Sequence, residues 1–385
     1  MSEDWIKVTL GDIVTMTKGS TATQKAIPGK YPLVVTAAEF LSSDHYQFEG
    51  EAVCVPMVSS TGHGHASLKR VHYASGKFAV ANIVTALQKR NDAPVDMKYL
   101  HLLLDHQRDS IIVPLMKGTA NVSLSQRSLA GAIVSLPPVE EQRRIVDLIG
   151  AVDDAIAKAE AAVVALGSTW RRVREAAMPA TSEGVCLGDV ASVQLGRMLS
   201  KERASGPDQA PYIRNANVQW GGLDMSDLKT MSFPTEDREK YRLIAGDILV
   251  CEGGDPGRAV LLREDLPGIY YQKAVHRVRA RPMDPRFLFH AISEAYENGS
   301  IADLCTVTTI AHLTAEKFRR LVVPNPIPEE QTRIADLLDV HQAVAVNADH
   351  HVDRLRELRS NLLTALLSGE HVIPETYDEL LEVEA

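Results

Sequence analysis

At 385 residues the chain exceeds one ordinary domain, and 45% hydrophobic with 24% charged residues is a globular composition, which excludes a disordered chain. No apolar run approaches the roughly 18 residues of a membrane span, and the opening MSEDWIKVTL lacks the form of a signal peptide, so a cytoplasmic protein with no membrane partner is expected. The four cysteines (Cys54, Cys186, Cys251, Cys305) share no metal-ligand spacing, and the net charge of −9 speaks against a nucleic-acid partner only as a sum, because five acids and no base lie in the last eleven residues.

In chain order, VTLGDIV (Val8–Val14) opens a mixed, strand-rich stretch that continues through YPLVVTAAEF (Tyr31–Phe40). Residues 52–91 hold five Lys/Arg and no acid, and within them Ser59, Ser60, His63, His65, Lys69 and Arg70 form a loop-like polar region. His63 and His65, like His350–His351 later, lack Cys or carboxylate partners at metal-site spacing and read as loop and helix-face polarity, so no metal site is expected. Residues 95–110 alternate as a short amphipathic helix. Then LPPVEEQRRI (Leu136–Ile145) announces a long one. Pro137 and Pro138 suit a first helical turn, and Glu140 and Glu141 place negative charge at the positive end of the helix dipole.

The second half repeats this grammar. VCLGDVA (Val185–Ala191) follows VTLGDIV by 177 positions, and APYIRNANVQ (Ala210–Gln219) loosely echoes YPLVVTAAEF. GDILVCEGG and IYYQKAVHRVRA read as strands, and residues 284–299 as a short amphipathic helix. Residues 256–282 carry six Lys/Arg against two acids. NPIPEEQTRI (Asn325–Ile334) restates the helix signal 189 positions after its first copy.

Both long helices carry a heptad seam. The first runs Ile145, Ile149, Val152, Ile156, Ala159, Val163, Leu166, Trp170, Val173 and Ala177. The second runs Ile334, Leu338, His341, Ala345, Ala348, Val352, Leu355, Arg359, Leu362 and Leu366. Parallel pairing sets Ala159 beside Ala348 and Trp170 beside Arg359, a void and a clash. Antiparallel pairing sets Ala159 against Val352, Val163 against Ala348, Leu166 against Ala345 and Trp170 against His341, so large faces small. Val152 then meets Arg359, whose stem can lie in the seam while its charge reaches water. The expected fold is α+β: two strand-rich domains separated by two long helices in an antiparallel coiled coil, with pseudo-twofold symmetry.

Two similar but non-identical domains carrying basic stretches suit a two-part, linear target, and duplex DNA is the natural candidate. The order domain, LPPVEEQRRI helix, domain, PIPEEQTRI helix resembles the specificity subunit of Type I restriction–modification systems. GDILVCEGG, GTANVSLSQRSLAGAIVSLPP and LLTALLSGEHVIPE resemble that family too. The resemblance implies target-recognition domains at 1–136 and 180–326, spacer helices at 137–179 and 327–370, and an acidic tail at 371–385. It also implies a bipartite double-stranded DNA target and docking of two adenine-N6 methyltransferase subunits. Two restriction–translocase subunits would complete a restriction enzyme. S-adenosylmethionine, ATP and magnesium belong, on that resemblance, to the partners; this chain is expected to bind no cofactor.

Residues expected to contact DNA are those of base-reading type near loops: Ser59, Ser60, His63, His65, Lys69 and Arg70 in the first domain, and Arg214, Asn215, Asn217, Arg258, Gln272 and Lys273 in the second. Trp220 is either a stacking or a core residue. Arg171, Arg172, Arg174, Arg354 and Arg356 are expected on outer helix faces, gripping the methylating partners. No P-loop, Asn/Asp-Pro-Pro-aromatic motif or Glu-x-Lys occurs, so a non-catalytic recognition subunit is expected. The competing reading is a coiled-coil adaptor that binds proteins rather than DNA.

Overall fold

The structure, a computed structural model, describes residues 4–61, 64–179, 184–307, 311–374 and 376–378. The chain divides into two compact units: unit one is Met1–Lys158 with Val352–Ala385, and unit two is Ala159–His351. The long helices are Val139–Ala177 and Pro328–Ser368. Each contributes one part to each unit. Among the described residues no helix is long and apolar enough to cross a membrane.

In unit one, Ala52–Pro56, the second-from-edge strand of a four-stranded antiparallel sheet, is buried along its whole length because Val53 and Val55 face one core cluster and Ala52 and Cys54 another. The strand order is Val14–Lys18, Val84–Lys89, Ala52–Pro56, His72–Ala74. A second sheet orders Leu41–Ser43, Tyr31–Val34, Lys77–Val80, Phe48–Glu49, with a parallel pairing of Leu33 to Ala79. Unit two repeats the first sheet as Ala191–Leu195, Val275–Ala280, Asp247–Cys251, Ala259–Leu261. Its second sheet, Lys229–Ser232, Gln209–Ile213, Tyr270–Tyr271, keeps the parallel step at Tyr212 and Tyr270. The loose echo between YPLVVTAAEF and APYIRNANVQ is thus a structural equivalence.

Two expected elements are broken. The helix at 95–110 forms as Met97–His106 and Arg108–Ile111, interrupted at Gln107. IYYQKAVHRVRA is two strands in different sheets, with a turn at 272–274 between them.

The Pro-Glu-Glu-Gln signal has a role beyond the helix dipole, and its glutamine performs it. Gln142 is fully buried. Its Oε1 accepts from Asp96 N at 2.8 Å, and its Nε2 donates to Pro94 O (3.0 Å) and Pro137 O (2.8 Å). Gln331 does the same, accepting from Asp284 N at 2.9 Å and donating to Pro326 O at 2.8 Å. Asp96 and Asp284 are the N-caps of the short helices Met97–His106 and Pro285–Glu297. Each long helix is therefore fastened at its first turn to the first turn of a short helix, by a buried amide whose donor and acceptor are both satisfied.

The seam register holds: every seam position of both helices is buried or half-buried, while Val164, Val340 and Leu358 between them are exposed. In unit one, Ile145 and Ile149 pack with Leu363, Leu366 and Leu367. In unit two, Trp170 and Val173 pack against Ile334 and Leu338, and the Trp170 ring stacks on His341 at 6.4 Å. The start of one helix meets the end of the other in both units, so the pair is antiparallel. Arg359 lies half-buried in the seam, its guanidinium held by Asp153. The C-terminal segment returns to unit one, where Ile373 is buried in the core and Arg144 donates to Asp378.

Candidate nucleic-acid interface

In each unit three chain segments meet beyond the end of the four-stranded sheet. In unit one these are the loop following Ala52–Pro56, the segment 117–124, and the turn Ala81–Val84. Ser59 N donates to Val122 O (3.0 Å), Leu124 N to Met57 O (2.9 Å) and Met57 N to Ile83 O (2.8 Å). In unit two, Leu313 N donates to Glu252 O (2.8 Å) and Glu252 N to Ala274 O (2.9 Å), which repeats two of those bonds.

The turn is built the same way in both units. Val84 N closes on Ala81 O at 2.9 Å, and Asn82 N reaches Thr21 O at 2.9 Å; Val275 N closes on Gln272 O at 2.9 Å, and Lys273 N reaches Arg197 O at 2.9 Å. Gly19 and Gly196 lie under the two turns. A Cβ at Gly19 would stand 2.3 Å from Ala81 O, and one at Gly196 2.4 Å from Gln272 O, so only glycine permits the approach.

The polar residues chosen from the sequence divide into loop-builders and displayed groups. Ser59 is half-buried; its Oγ lies 2.6 Å from His65 O and accepts from Ser67 N at 3.2 Å. Ser60 Oγ accepts from Lys69 N at 3.0 Å. These two hydroxyls tie the loop to itself. The His65 and Lys69 side chains are exposed, Arg70 is half-buried, and His63 lies outside the described residues.

In unit two the correction is larger. Asn217 is 2% exposed, so it cannot reach a base edge. Its Oδ1 accepts from Arg214 N and its Nδ2 donates to Asp224 O at 2.8 Å, closing a turn. Arg214 pairs with Asp227 at 2.6 Å. Asn215 Nδ2 donates to Gly253 O (2.7 Å), while Arg258 donates to Asn215 O (3.1 Å) and pairs with Asp255 (3.4 Å). Tyr296 donates its hydroxyl proton to the same Asp255 at 2.7 Å. GGDPGR is therefore a strand turn braced from within. Of the basic stretch 256–282, Arg277 is buried against the carbonyls of Lys240 and Arg242, Arg279 is bidentate to the buried Asp247, and Arg263 is bidentate to Asp339. Lys273 and Arg281 remain exposed, and Gln272 is half-buried. Charge counted along the chain thus overstates the basic surface of unit two.

Trp220 is a packing residue: it meets the Tyr296 ring edge-on at 5.0 Å. Arg174 is corrected as well. It is 2% exposed, paired with Glu294 (3.0 Å) and Glu297 (2.6 Å), its guanidinium 5.5 Å from the Trp170 ring. Arg171 is exposed and pairs with Glu297; Arg172, Arg354 and Arg356 are exposed, the last paired with Asp353.

Burial sets the titration of the groups behind the interface. His276, whose Nε2 lies 2.7 Å from Leu313 O, is pushed down to about 4, so the ring is neutral and donates that hydrogen bond. Burial pushes the Cys54 thiol up to about 12 and raises that of Cys251, which leaves both inert.

The family model described as Type I restriction modification DNA specificity domain matches this chain twice, over residues 2–165 and 179–350. The chain belongs to this family. It is a specificity-subunit chain of the Type I restriction–modification class, with DNA sequence recognition as its role. The Type I restriction enzyme MjaVIII specificity subunit of Methanocaldococcus jannaschii is 20% identical to it, over 96% of this chain and 93% of the relative. The Type I restriction–modification S subunit from M. genitalium shares the fold, with a TM-score of 0.60 at 14% identity, covering 94% of this chain and 96% of that one. A chain from a structure titled for complex assembly and conformational transition of the type I R-M system matches with a TM-score of 0.59 at 15% identity, over 95% and 98%. The specificity-subunit fold is thus present from near one end of the chain to the other.

Sequence reading passed over Asn82 and Ile83, which occupy in unit one the place of Lys273 and Ala274. The two turns lie 191 positions apart, whereas Gly19 and Gly196, like the two LGD motifs, lie 177 apart, so no single sequence offset pairs them and the turn hydrogen bonds do.

Proposed function

We propose that this specificity subunit reads a bipartite, asymmetric duplex DNA sequence, one half with each unit, and performs no chemistry itself. The observation that carries the reading is the double match to the DNA specificity domain on two units of one topology, whose loops display different side chains. A shared scaffold suits a shared task, and different displayed groups suit different half-sites.

In this reading the chain works in the cytoplasm and docks two adenine-N6 methyltransferase subunits, which supply S-adenosylmethionine chemistry. Restriction–translocase subunits using ATP and magnesium join the same assembly. The exposed Arg171, Arg172, Arg354 and Arg356 are candidates for the docking contacts. His65, Lys69 and Arg70 in unit one, with Gln272 and Lys273 in unit two, are the remaining sequence-chosen candidates for DNA.

A gel-shift selection from a randomised duplex pool, with and without the methylating subunits, tests this. Enrichment of a two-part sequence separated by unspecified bases supports it. A pool that stays random with the partner present would favour a protein adaptor, the reading to which the acidic balance of the chain points.

A further inference from the structure

The two turns at 81–84 and 272–275 repeat each other more closely than the loops around them. Each is closed by the same i to i+3 hydrogen bond and held, through the amide at its tip, Asn82 N or Lys273 N, to a residue just past an edge strand of the four-stranded sheet, Thr21 O or Arg197 O. Each is bonded to the neighbouring loop through Ile83 O or Ala274 O. Each rests on a glycine that tolerates no side chain. Such a backbone has little freedom left to lose on binding, so whatever it displays is already in place.

What it displays differs between the units. Asn82 and Lys273 are exposed, and neither side chain has a hydrogen-bond or ion-pair partner among the described residues. Ile83 is 37% exposed, where unit two has Ala274. Around them, the polar side chains Ser59, Ser60, Asn215 and Arg258 are engaged in holding the loops. A chain that reads two half-sites with one scaffold must vary its side chains where the backbone is fixed, and these tips meet that condition.

We infer that Asn82 with Ile83 in unit one, and Lys273 in unit two, are base-reading residues set on equivalent rigid turns. The chemistry assigns their targets. An asparagine amide matches the N6 and N7 edge of adenine, an apolar tip suits a thymine methyl, and a lysine ammonium suits O6 and N7 of guanine. Unit one's turn therefore faces an A·T pair and unit two's a G·C pair. This assignment rests on the proposed DNA reading.

The test uses the full chain with its methylating subunits and the same randomised duplex pool. Enrichment of a two-part sequence by the unaltered chain decides the DNA reading; without it, that reading and this inference fall together. Given enrichment, Asn82→Lys is expected to change the preferred base in one half of the sequence only, and Lys273→Asn in the other half only. On the enriched duplex, Asn82→Ala and Lys273→Ala should each weaken binding on the order of tenfold, with a smaller effect on duplexes altered at the contacted pair. Because both side chains are exposed, the melting temperature should stay at the unaltered value. Unchanged preferences in both variants would overturn the inference while leaving the DNA reading standing. So would a Lys273→Ala loss that is equal on all duplexes and lowers the salt dependence, the mark of a phosphate contact.

Discussion

The two units hold their long helices with the same clamp and with different forces. In unit one the helix segments meet through aliphatic side chains, Ile145, Ile149, Leu363, Leu366 and Leu367, with Ile373 added from the C-terminal segment. In unit two Ile334 and Leu338 again pack apolar, and an aromatic and charged cluster joins them. The Trp170 ring stands between the Arg174 guanidinium, His290 at 5.6 Å and His341, while Asp339 bonds His290 at 3.0 Å and both arms of Arg263. Burial alone would raise the Asp339 carboxyl, but the hydrogen bonds from His290 and Arg263 overcome it and hold the group well below the usual carboxylate range. The difference teaches that the helix register is set by the buried glutamine and the seam, not by any one kind of contact. Apolar packing and a hydrogen-bonded polar cluster both back the helix pair.

This comparison can be broken most directly by truncation. Leu366→Ala in unit one and Trp170→Ala in unit two should each cost about 3 kcal/mol, read as lost amide hydrogen-exchange protection in the altered unit. A Trp170→Ala cost near zero would mean that the polar cluster holds the helix without its ring.

Acidification should weaken both units, and in unit two His276 is a principal cause. His276 in unit two is buried neutral, with its value lowered from 6.5 to about 4. The unfolded chain therefore binds the proton first, so stability is whole above about pH 6.5 and is lost as pH falls toward 4, by on the order of 3 kcal/mol. The depressed Asp339 acts in the same direction at lower pH, below the ordinary aspartate range. Burial also lowers His72, His101 and His106 in unit one, so both units weaken in acid. A His276→Phe variant isolates the effect: its unit-two protection should change less between pH 7 and 4 than that of the unaltered chain. An identical pH slope would remove His276 as the cause.

The shared clamp predicts equality. Gln142→Ala and Gln331→Ala each orphan a buried amide and carbonyl and should cost about 2 kcal/mol apiece, measured by denaturant unfolding. A much smaller cost at Gln331, which is 5% exposed, would show water replacing the amide there. The finest test concerns the seam register. Ala348→Trp overfills a half-buried position and should cost about 2 kcal/mol, whereas His341→Ala should cost less than about 1 kcal/mol. Equal melting temperatures for the two would contradict the packing seen around Trp170.

Much of this was legible in the sequence wherever the signal was periodic. Helices of 39 and 41 residues write their seams many times over, so Trp170 could be set against His341 and Arg359 placed in the seam before any coordinates. The duplication was legible because LGD and Pro-Glu-Glu-Gln recur whole. The interface was read less well. Arg174, Asn217 and Arg258 have the composition of a binding surface, yet each is held by groups that one-dimensional reading does not bring near: Glu294, Asp224 and the backbone of Asn215. Gln142 was missed for the same reason, since its partner Asp96 lies in another element. IYYQKAVHRVRA breaks at Gln272-Lys273-Ala274, the weak strand formers between two β-rich runs, where the backbone packs against Gly196 far upstream.

Unit one is assembled from two stretches of chain, and the second of these, from Val352 onward, is translated only after the whole of unit two. A nascent chain on the ribosome thus carries Ile145 and Ile149 uncovered while close to two hundred further residues are made. Unit two can close in the meantime. Synthesis interrupted near residue 350 would leave Ile145 and Ile149 without Leu363, Leu366 and Leu367, an apolar surface open to chaperones and proteases.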